Sequence, residues 1–274
     1  MTDLLELTTP YFPEFSNPPS TDERSNLTSL LAGDFSALLG GAHAMLQEDE
    51  DWPQCKMCGR PLVPYLQINA TTTHTPTEFR AHLDFPPLRP DPDAATLFQV
   101  FICTGPGRNG SCLEDWTSGA HPGEAMRARL VHCGSQTSVR TIENPEALAG
   151  ARGVIPQRVI SEWTPGNPEV PHFEMLDLMD GGEYDEDFYH AHKPAGGLKL
   201  LGNVVLGKVQ NFPDIDGQSP HGEAEGYLCY RSLVQLGTDD GDVSNYTFVT
   251  AGNVFVLQCK AHRDAFQPGR SFSW

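Results

Sequence analysis

The chain has 274 residues, of which 36 are acidic and 18 are basic, so its formal net charge is −18. A field of this sign repels nucleic-acid phosphates and anionic lipids, and no apolar run reaches the roughly 18 residues that a membrane-spanning helix needs. Seven cysteines and an N-terminus without a basic region predict a cytoplasmic protein with free thiols or a metal site, not a disulfide framework. The acidity is typical of a soluble protein, and it would also attract a basic partner.

Residues 1–35 are predicted to form an N-terminal arm. Its first 26 residues carry four prolines among Thr, Ser and acidic residues, which indicates an extended segment lying on the surface or partly disordered. Leucines at three- and four-residue spacing over 26–39 predict either a short helix that Gly33 interrupts or a loop followed by a strand. Gly40 and Gly41 end this stretch.

Residues 36–133 are predicted to form a first β-rich half. Its strands are expected at Leu62–Ile68 and Thr96–Cys103. Glu124–His132 could be a strand or a short helix, and the alternation of apolar residues with arginines there favours the strand. The stretch 71–95 is interpreted as a proline-rich connection. Residues 134–190 form the linker to a second half, and their dense acidic run over 174–187 is expected to stay solvated.

Residues 191–274 are predicted to repeat the first half. Leu200–Asn203 mirrors Leu38–Gly41, Val234–Leu236 mirrors Leu66–Ile68 around a central glutamine, and Val254–Cys259 mirrors the strand that ends at Cys103. The alternative is chance similarity between β-rich stretches. The repeat predicts an α+β, β-rich fold of two pseudo-repeated β-sheet halves, with few short helices and many loops.

Gln67 and Gln235 occupy the middle of these apolar strands. A glutamine in such a position must find hydrogen-bond partners. One interpretation is a structural bond to nearby backbone. The other is a pair of polar anchors that face a groove between the halves, where a peptide partner could pair.

The Cys55-x-x-Cys58 pair, followed by a glycine, has the form of a zinc knuckle. The best second pair for a tetrahedral site is Cys103 and Cys112, which flank a glycine-rich loop. The alternatives are free thiols and a redox Cys-x-x-Cys. Four thiolates would leave no open position, so such a zinc is structural and not catalytic.

Several other residues are weaker candidates. Cys259-x-x-His262 has metal-like spacing but lacks a clear second pair, with Cys133 and Cys229 as distant options; buried or surface thiols are the simpler interpretation. Asp239 and Asp240 resemble part of a calcium loop, although a hairpin turn explains them more simply. Together with Trp52, they join the two glutamines as candidate partner-binding residues.

No sequence signature of an enzyme is present. The chain has no nucleophile elbow, P-loop, dinucleotide fingerprint or His-Glu-x-x-His motif. His190, His192 and His262 could act with nearby acids in an unfamiliar site. Because the first two follow an acidic stretch, a solvated loop is the preferred interpretation for them.

These motifs resemble the YwqG-like family and the related programmed-cell-death-protein-2 C-terminal domain group. The resemblance spans roughly 36–270, and it is carried by the Trp-Pro-x-Cys-x-x-Cys-Gly run, by FQVFIC and by the later HKPAGG, LVQLGTDDGD and NVFVLQC. It implies a duplicated β-rich fold. It also implies zinc-type roles for Cys55 and Cys58, and less directly for Cys103 and Cys112.

The resemblance also implies a function. The eukaryotic relatives are chaperone-like and hold a newly made ribosomal protein, while some bacterial ones are thought to be immunity proteins against secreted toxins. We therefore expect a non-catalytic module that binds a basic protein or peptide client, with an enzyme as the alternative. Because the second half lacks the Cys-x-x-Cys, any metal should belong to the first half.

Overall fold

The computed structural model describes residues 7–16, 22–83, 94–105, 112, 122–142, 155–170, 186–204, 209–211, 230–236, 252–259 and 266–272. Within these ranges the chain forms a large antiparallel sheet of eleven strands, a separate two-stranded sheet and a few short helices. The predicted α+β, β-rich class is therefore confirmed.

The strands are β1 (Pro10–Phe15), β2 (Ala37–Leu39), β3 (His43–Gln47), β4 (Val63–Asn69), β5 (Thr96–Ile102), β6 (Met126–His132), β7 (Thr137–Thr141), β8 (Arg158–Pro165), β9 (Lys199–Leu201), β10 (Val209–Asn211), β11 (Tyr230–Leu236), β12 (Gly252–Cys259) and β13 (Phe266–Phe272). The helices are α1 (Glu23–Ala32), α2 (Thr77–Leu83), α3 (Pro122–Ala125) and α4 (Glu186–His192). None of these helices combines the length and apolar character needed to cross a membrane.

The order of strands in the large sheet shows the duplication directly. It runs β10-β13-β12-β11-β9-β1-β8-β2-β4-β5-β6, while β3 pairs with β7 in the small sheet. Outward from the central β1–β8 pair, β2-β4-β5-β6 on one side matches β9-β11-β12-β13 on the other. The two halves of the chain thus build the two halves of one continuous sheet.

The pairing register supports the same correspondence in detail. Gln67 in β4 and Gln235 in β11 occupy equivalent positions, because each strand has its irregularity two residues before the glutamine. The same register makes Cys103, which follows β5, equivalent to Cys259 at the end of β12. An insertion at the same position in two separate strand pairs is not expected from chance similarity.

The register also corrects the alignment of the glycine turns. Leu38 pairs with Gln67 and Lys199 pairs with Gln235, so Leu38 matches Lys199 and the sequence alignment was displaced by one residue. Gly40, at φ 72°, then matches Leu201, which has a left-handed φ of 55°. Leucine rarely adopts this conformation. The second half therefore has the same left-handed turn as the first half, although it has no glycine at that position.

β1 is a central strand and not a surface arm. It pairs with β8 over Tyr11–Phe15 and with β9 at Pro10 and Tyr11. β8, in the region interpreted as a linker, pairs in turn with β2. The strand before each half therefore joins the opposite half of the sheet.

Most other elements lie close to their predicted positions. β4, β5, β6, β11 and β12 match predicted strands. α1 ends at Ala32, and Gly33, at φ 83°, caps it by donating its backbone N–H to Leu30 O at 3.1 Å. Gly33 therefore ends the helix and does not interrupt it. α2 was not predicted. It lies within the proline-rich connection, and α4 begins inside the acidic stretch that was expected to be a loop.

The two halves share one hydrophobic core. A single cluster of buried residues includes Ile68 and Phe98 from the first half and Leu233 and Val254 from the second. α2 adds Phe79, whose ring meets Phe98 edge-on at 5.8 Å. Within the described residues, side chains from both halves therefore pack into this one cluster.

Candidate metal centre

Cys55 and Cys58 lie on a tight turn before β4. The Cys55 N–H donates to Arg60 O, and Gly59 N–H donates to Cys55 O, both at 2.8 Å. Gly59 has a φ of 70°, which a residue without a side chain adopts at little cost. These bonds close the turn and hold the two sulfurs on the same side of it, as the spacing predicted.

The second pair comes from the end of β5 and the loop after it. Cys103 N–H donates to Ala125 O in α3 at 2.8 Å, and Cys112 N–H donates to Gly105 O at 3.3 Å. Gly105 N–H also donates to the Cys103 sulfur at 3.4 Å. The bond to α3 therefore fixes the backbone of Cys103, and the bond to Gly105 fixes that of Cys112.

The four sulfurs form a compact cluster. The Sγ atoms of Cys55, Cys58, Cys103 and Cys112 all lie within 4.8 Å of one another, and Cys58 and Cys103 are 3.6 Å apart. A tetrahedral zinc with Zn–S bonds of about 2.3 Å separates its sulfurs by about 3.8 Å, so the donor set fits such an ion. The structure thus brings together the four predicted ligands into a site that could hold a metal.

The electrostatics of the cluster favour a cation among the sulfurs. The hydrogen bond from Cys103 lowers the pKa of Cys55 to about 5, with backbone N–H groups acting in the same direction. That bond and burial raise the pKa of Cys103 well above its ordinary value, and burial beside the other thiols raises the pKa of Cys112 to about 12. The cluster cannot carry four thiolates at neutral pH without a positive ion.

Two residues beside the cluster were missed by sequence reasoning. A Cβ on Gly105 would lie 3.2 Å from Arg60 Cδ, 3.3 Å from Cys103 Sγ and 3.4 Å from Cys58 Sγ. A side chain at Gly105 would thus be wedged between the arginine and the sulfurs. Arg60 directly follows the Cys-x-x-Cys-Gly run, and that adjacency is the only sequence signal for it.

Trp52 braces the start of β4 beside the knuckle. Its indole N–H donates to Leu62 O at 2.8 Å, and its ring meets Phe101 edge-on at 6.1 Å. The side chain is half-buried. These contacts give Trp52 a structural role, whereas its predicted part in partner binding stays a prediction.

The two glutamines follow the structural interpretation. Gln67 Nε2 donates to His43 O at 2.9 Å, and Gln235 Nε2 donates to the carbonyls of Ala195 and Gly197. Both side chains are buried. These bonds agree with the structural interpretation, whereas the predicted part of the two glutamines in partner binding stays a prediction.

The second half contains a buried ion pair that the sequence did not reveal. Lys199 Nζ lies 2.7 Å from Glu169 Oε2, and the two side chains are 0% and 3% exposed. The Asn203 carbonyl accepts from the same ammonium group, and the Asn203 N–H donates to the carboxylate. The only sequence signal was a lysine between leucines in an apolar run.

The remaining candidates are dispersed or undescribed. Cys229, Asp239, Asp240 and His262 lie outside the described residues. Cys133 and Cys259 are not members of the four-cysteine cluster. Among the described residues, the four-cysteine group is the one set of potential metal ligands.

The two described histidines of the enzyme alternative lie on α4. His190 Nε2 is 3.8 Å from Glu186 across the exposed face of that helix. His192 Nδ1 lies 2.9 Å from Pro168 O, to which it donates, and its ring stacks on Phe188. Both positions are helical rather than in a loop, and each histidine has a local structural partner.

Comparison of the chain with protein-family models and with curated proteins finds no match.

Proposed function

We propose that the protein is a non-catalytic protein-binding module whose first half is held together by a structural zinc ion. The observation that carries the proposal is the closed all-cysteine site. Four sulfur ligands complete a tetrahedron, so a zinc bound there has no free position for substrate or water. Its contribution is to tie together the knuckle, the end of β5 and the Cys112 turn.

We propose zinc in preference to other metals because of the ligand set. Four thiolates in tetrahedral arrangement suit zinc or iron, and thiolates are poor ligands for calcium or magnesium. The proposal fits the resemblance to the YwqG-like family, which rests on the same cysteines. Elemental analysis of protein purified without added metal should give close to one zinc per chain. Less than about half an equivalent, or one equivalent of iron, would contradict it.

The proposed client is a basic protein or peptide. The net charge of −18 would attract such a client from a distance and would repel nucleic acid. The client would bind an acidic surface, either on the exterior or in a groove between the two halves. One exposed acidic stretch is the turn after β3, which carries Glu48, Asp49 and Asp51.

Binding can be tested with the intact, metal-loaded chain. Proteins captured from native lysate are identified, and the affinity of each purified pair is measured as salt rises. A basic client whose affinity falls steeply with salt is the expected result, because screening weakens charge steering. A client whose binding ignores salt, or capture of neutral proteins only, would contradict the charge-steered module. The identity of the client distinguishes the two forms of the proposal: a ribosomal-protein segment indicates a chaperone-like module, and a toxin domain indicates an immunity protein.

The acidic turn offers a local variant. Neutralising Glu48 and Asp49 to their amides should raise the dissociation constant for the client if this turn forms part of the surface. A matched change of Glu186 and Asp187, which are exposed on α4, removes charge elsewhere. An equal loss of affinity for the client in both variants would indicate long-range steering by the net charge, without a local binding site on this turn.

A further inference from the structure

We propose that Arg60 is the positioning cation of the metal–thiolate centre, and that it sets how tightly the centre holds a divalent ion. The inference rests on the metal site proposed above. It concerns a residue that is not a ligand. Arg60 acts on the ion through the sulfurs.

The backbone fixes Arg60 beside the first ligand pair. Its carbonyl accepts the Cys55 N–H at 2.8 Å, and the left-handed Gly59 turns the chain between Cys58 and Arg60. The arginine thus cannot leave the knuckle without opening the turn that holds two ligands. Its place relative to the sulfurs is set by the same hydrogen bonds that set the ligands.

The side chain then runs toward the sulfurs. Its Cδ and the sulfurs of Cys58 and Cys103 all lie within 3.4 Å of one point, the place that a Cβ on Gly105 would occupy. The absence of a side chain at Gly105 is what leaves room for this approach. The stem of Arg60 and one sulfur from each ligand pair therefore border the space that Gly105 leaves open.

The guanidinium group has an unmet need for a negative partner. Arg60 Nη1 is buried and has no hydrogen-bond partner, which is costly for a charged donor. The Thr104 hydroxyl, directly after Cys103, is also buried without a partner. Arg60 thus has a buried donor without a partner, and an anionic metal–thiolate centre nearby would supply charge of the sign that it lacks.

A nearby cation would stabilise the negatively charged metal–thiolate centre. Four thiolates around a divalent ion leave a net charge of about −2. Cys55, Cys103 and Cys112 are buried, so water screens little of that charge, and the rest of the chain is itself acidic. Partners outside the ligand shell commonly tune metal affinity in this way. Arg60 is the described cation whose side chain approaches these sulfurs at the point defined by Gly105.

Lys56 provides the matched control. It lies on the same turn and carries the same charge, but its side chain is exposed. Its backbone N–H donates to Glu124 O, so a side-chain change leaves that bond in place. A comparison of Arg60→Gln with Lys56→Gln separates a specific effect from the general loss of one positive charge.

The test uses metal-free chain titrated with Co²⁺. The thiolate-to-cobalt charge-transfer absorption reports binding by cysteine, and competition with a chelator gives the dissociation constant. We expect Arg60→Gln to raise this constant about 10- to 100-fold. Arg60→Lys should restore part of the affinity, and Lys56→Gln should change it by less than about fivefold.

A second measurement excludes a general structural role. If Arg60 acts through the metal, Arg60→Gln lowers the stability of the loaded protein and leaves that of the metal-free protein unchanged or higher. Equal losses in both forms, or an unchanged cobalt dissociation constant, would overturn the inference while the metal site stands. A wild-type chain without the charge-transfer absorption would overturn the metal site and the role of Arg60 together.

Discussion

The two halves of the sheet share a scaffold but are held together by different chemistry. The first half gathers four cysteines at one end of β4 and β5, and buries Leu38 in β2. Among the described residues of the second half, Cys259 is the one cysteine at an equivalent position. At the position of Leu38 the second half has Lys199, which pairs with Glu169.

The difference separates what the fold requires from what each half has added. Both halves retain the glutamine, the strand irregularity before it and the left-handed turn after the short strand. Among the described residues, the four-cysteine cluster and the buried ion pair each occur once. The first could hold a cation between sulfur ligands, and the second holds an ammonium group against a buried carboxylate.

The largest expected effect comes from the equivalent cysteines. Cys103→Ser should abolish stoichiometric metal binding, whereas Cys259→Ser should keep it. At free metal a thousandfold above the dissociation constant, loss of the ion lowers the free energy of unfolding by about 4 kcal/mol. Denaturant unfolding together with elemental analysis of both variants measures this. Loss of metal in Cys259→Ser would show that the halves are not chemically distinct.

The next largest change in stability is expected from the buried ion pair between Lys199 and Glu169. Lys199→Met leaves the buried Glu169 carboxylate without its cation, and we expect a loss of about 3–5 kcal/mol in denaturant unfolding. Leu38→Met, at the equivalent position, preserves volume and should cost less than about 1.5 kcal/mol. Glu169→Gln added to Lys199→Met should recover part of the loss. Similar losses in the free energy of unfolding for Lys199→Met and Leu38→Met would contradict the difference between the two halves at this position.

The smallest effect is a dependence on pH. Burial lowers the pKa of Lys199 from 10.5 to about 8, although Glu169 opposes the shift. Between these values the unfolded chain holds a proton that the folded chain has released, so the contribution of Lys199 to stability rises with pH. Unfolding of metal-loaded protein at pH 8, 9 and 10 should show a more positive slope in Leu38→Met than in Lys199→Met. The reverse order would contradict the lowered pKa.

Local patterns were sufficient to predict the strands of each half and the four cysteines. β4 and β5 are apolar and β-branched or aromatic, and the Cys-x-x-Cys spacing is specific enough to identify a knuckle. The second ligand pair could be chosen because Cys103 ends a strand and Cys112 follows a glycine-rich loop. All of these signals lie within a few residues of the feature that they predict.

Pairings between distant segments could not be predicted in this way. β1 contains Pro10 and Pro13, and proline normally argues against a central strand. The structure tolerates Pro13 because pairing with β9 reaches only as far as Tyr11, so on that side the strand is an edge beyond this point. The Glu169–Lys199 pair and the approach of Arg60 to the sulfurs likewise depend on tertiary contacts that no spacing encodes.

The exchange of β1 and β8 between the halves has a consequence for the order of events during synthesis. β1 leaves the ribosome early, but its partner residues, Leu200 and Leu201 in β9 and Ile160–Pro165 in β8, are made far later. At about 5–20 residues per second, β1 waits roughly 10–40 s for them. During that interval β1 has neither of its two neighbours in the sheet. The nascent chain therefore completes its sheet only when the second copy arrives, and neither copy can be released as a finished domain on its own.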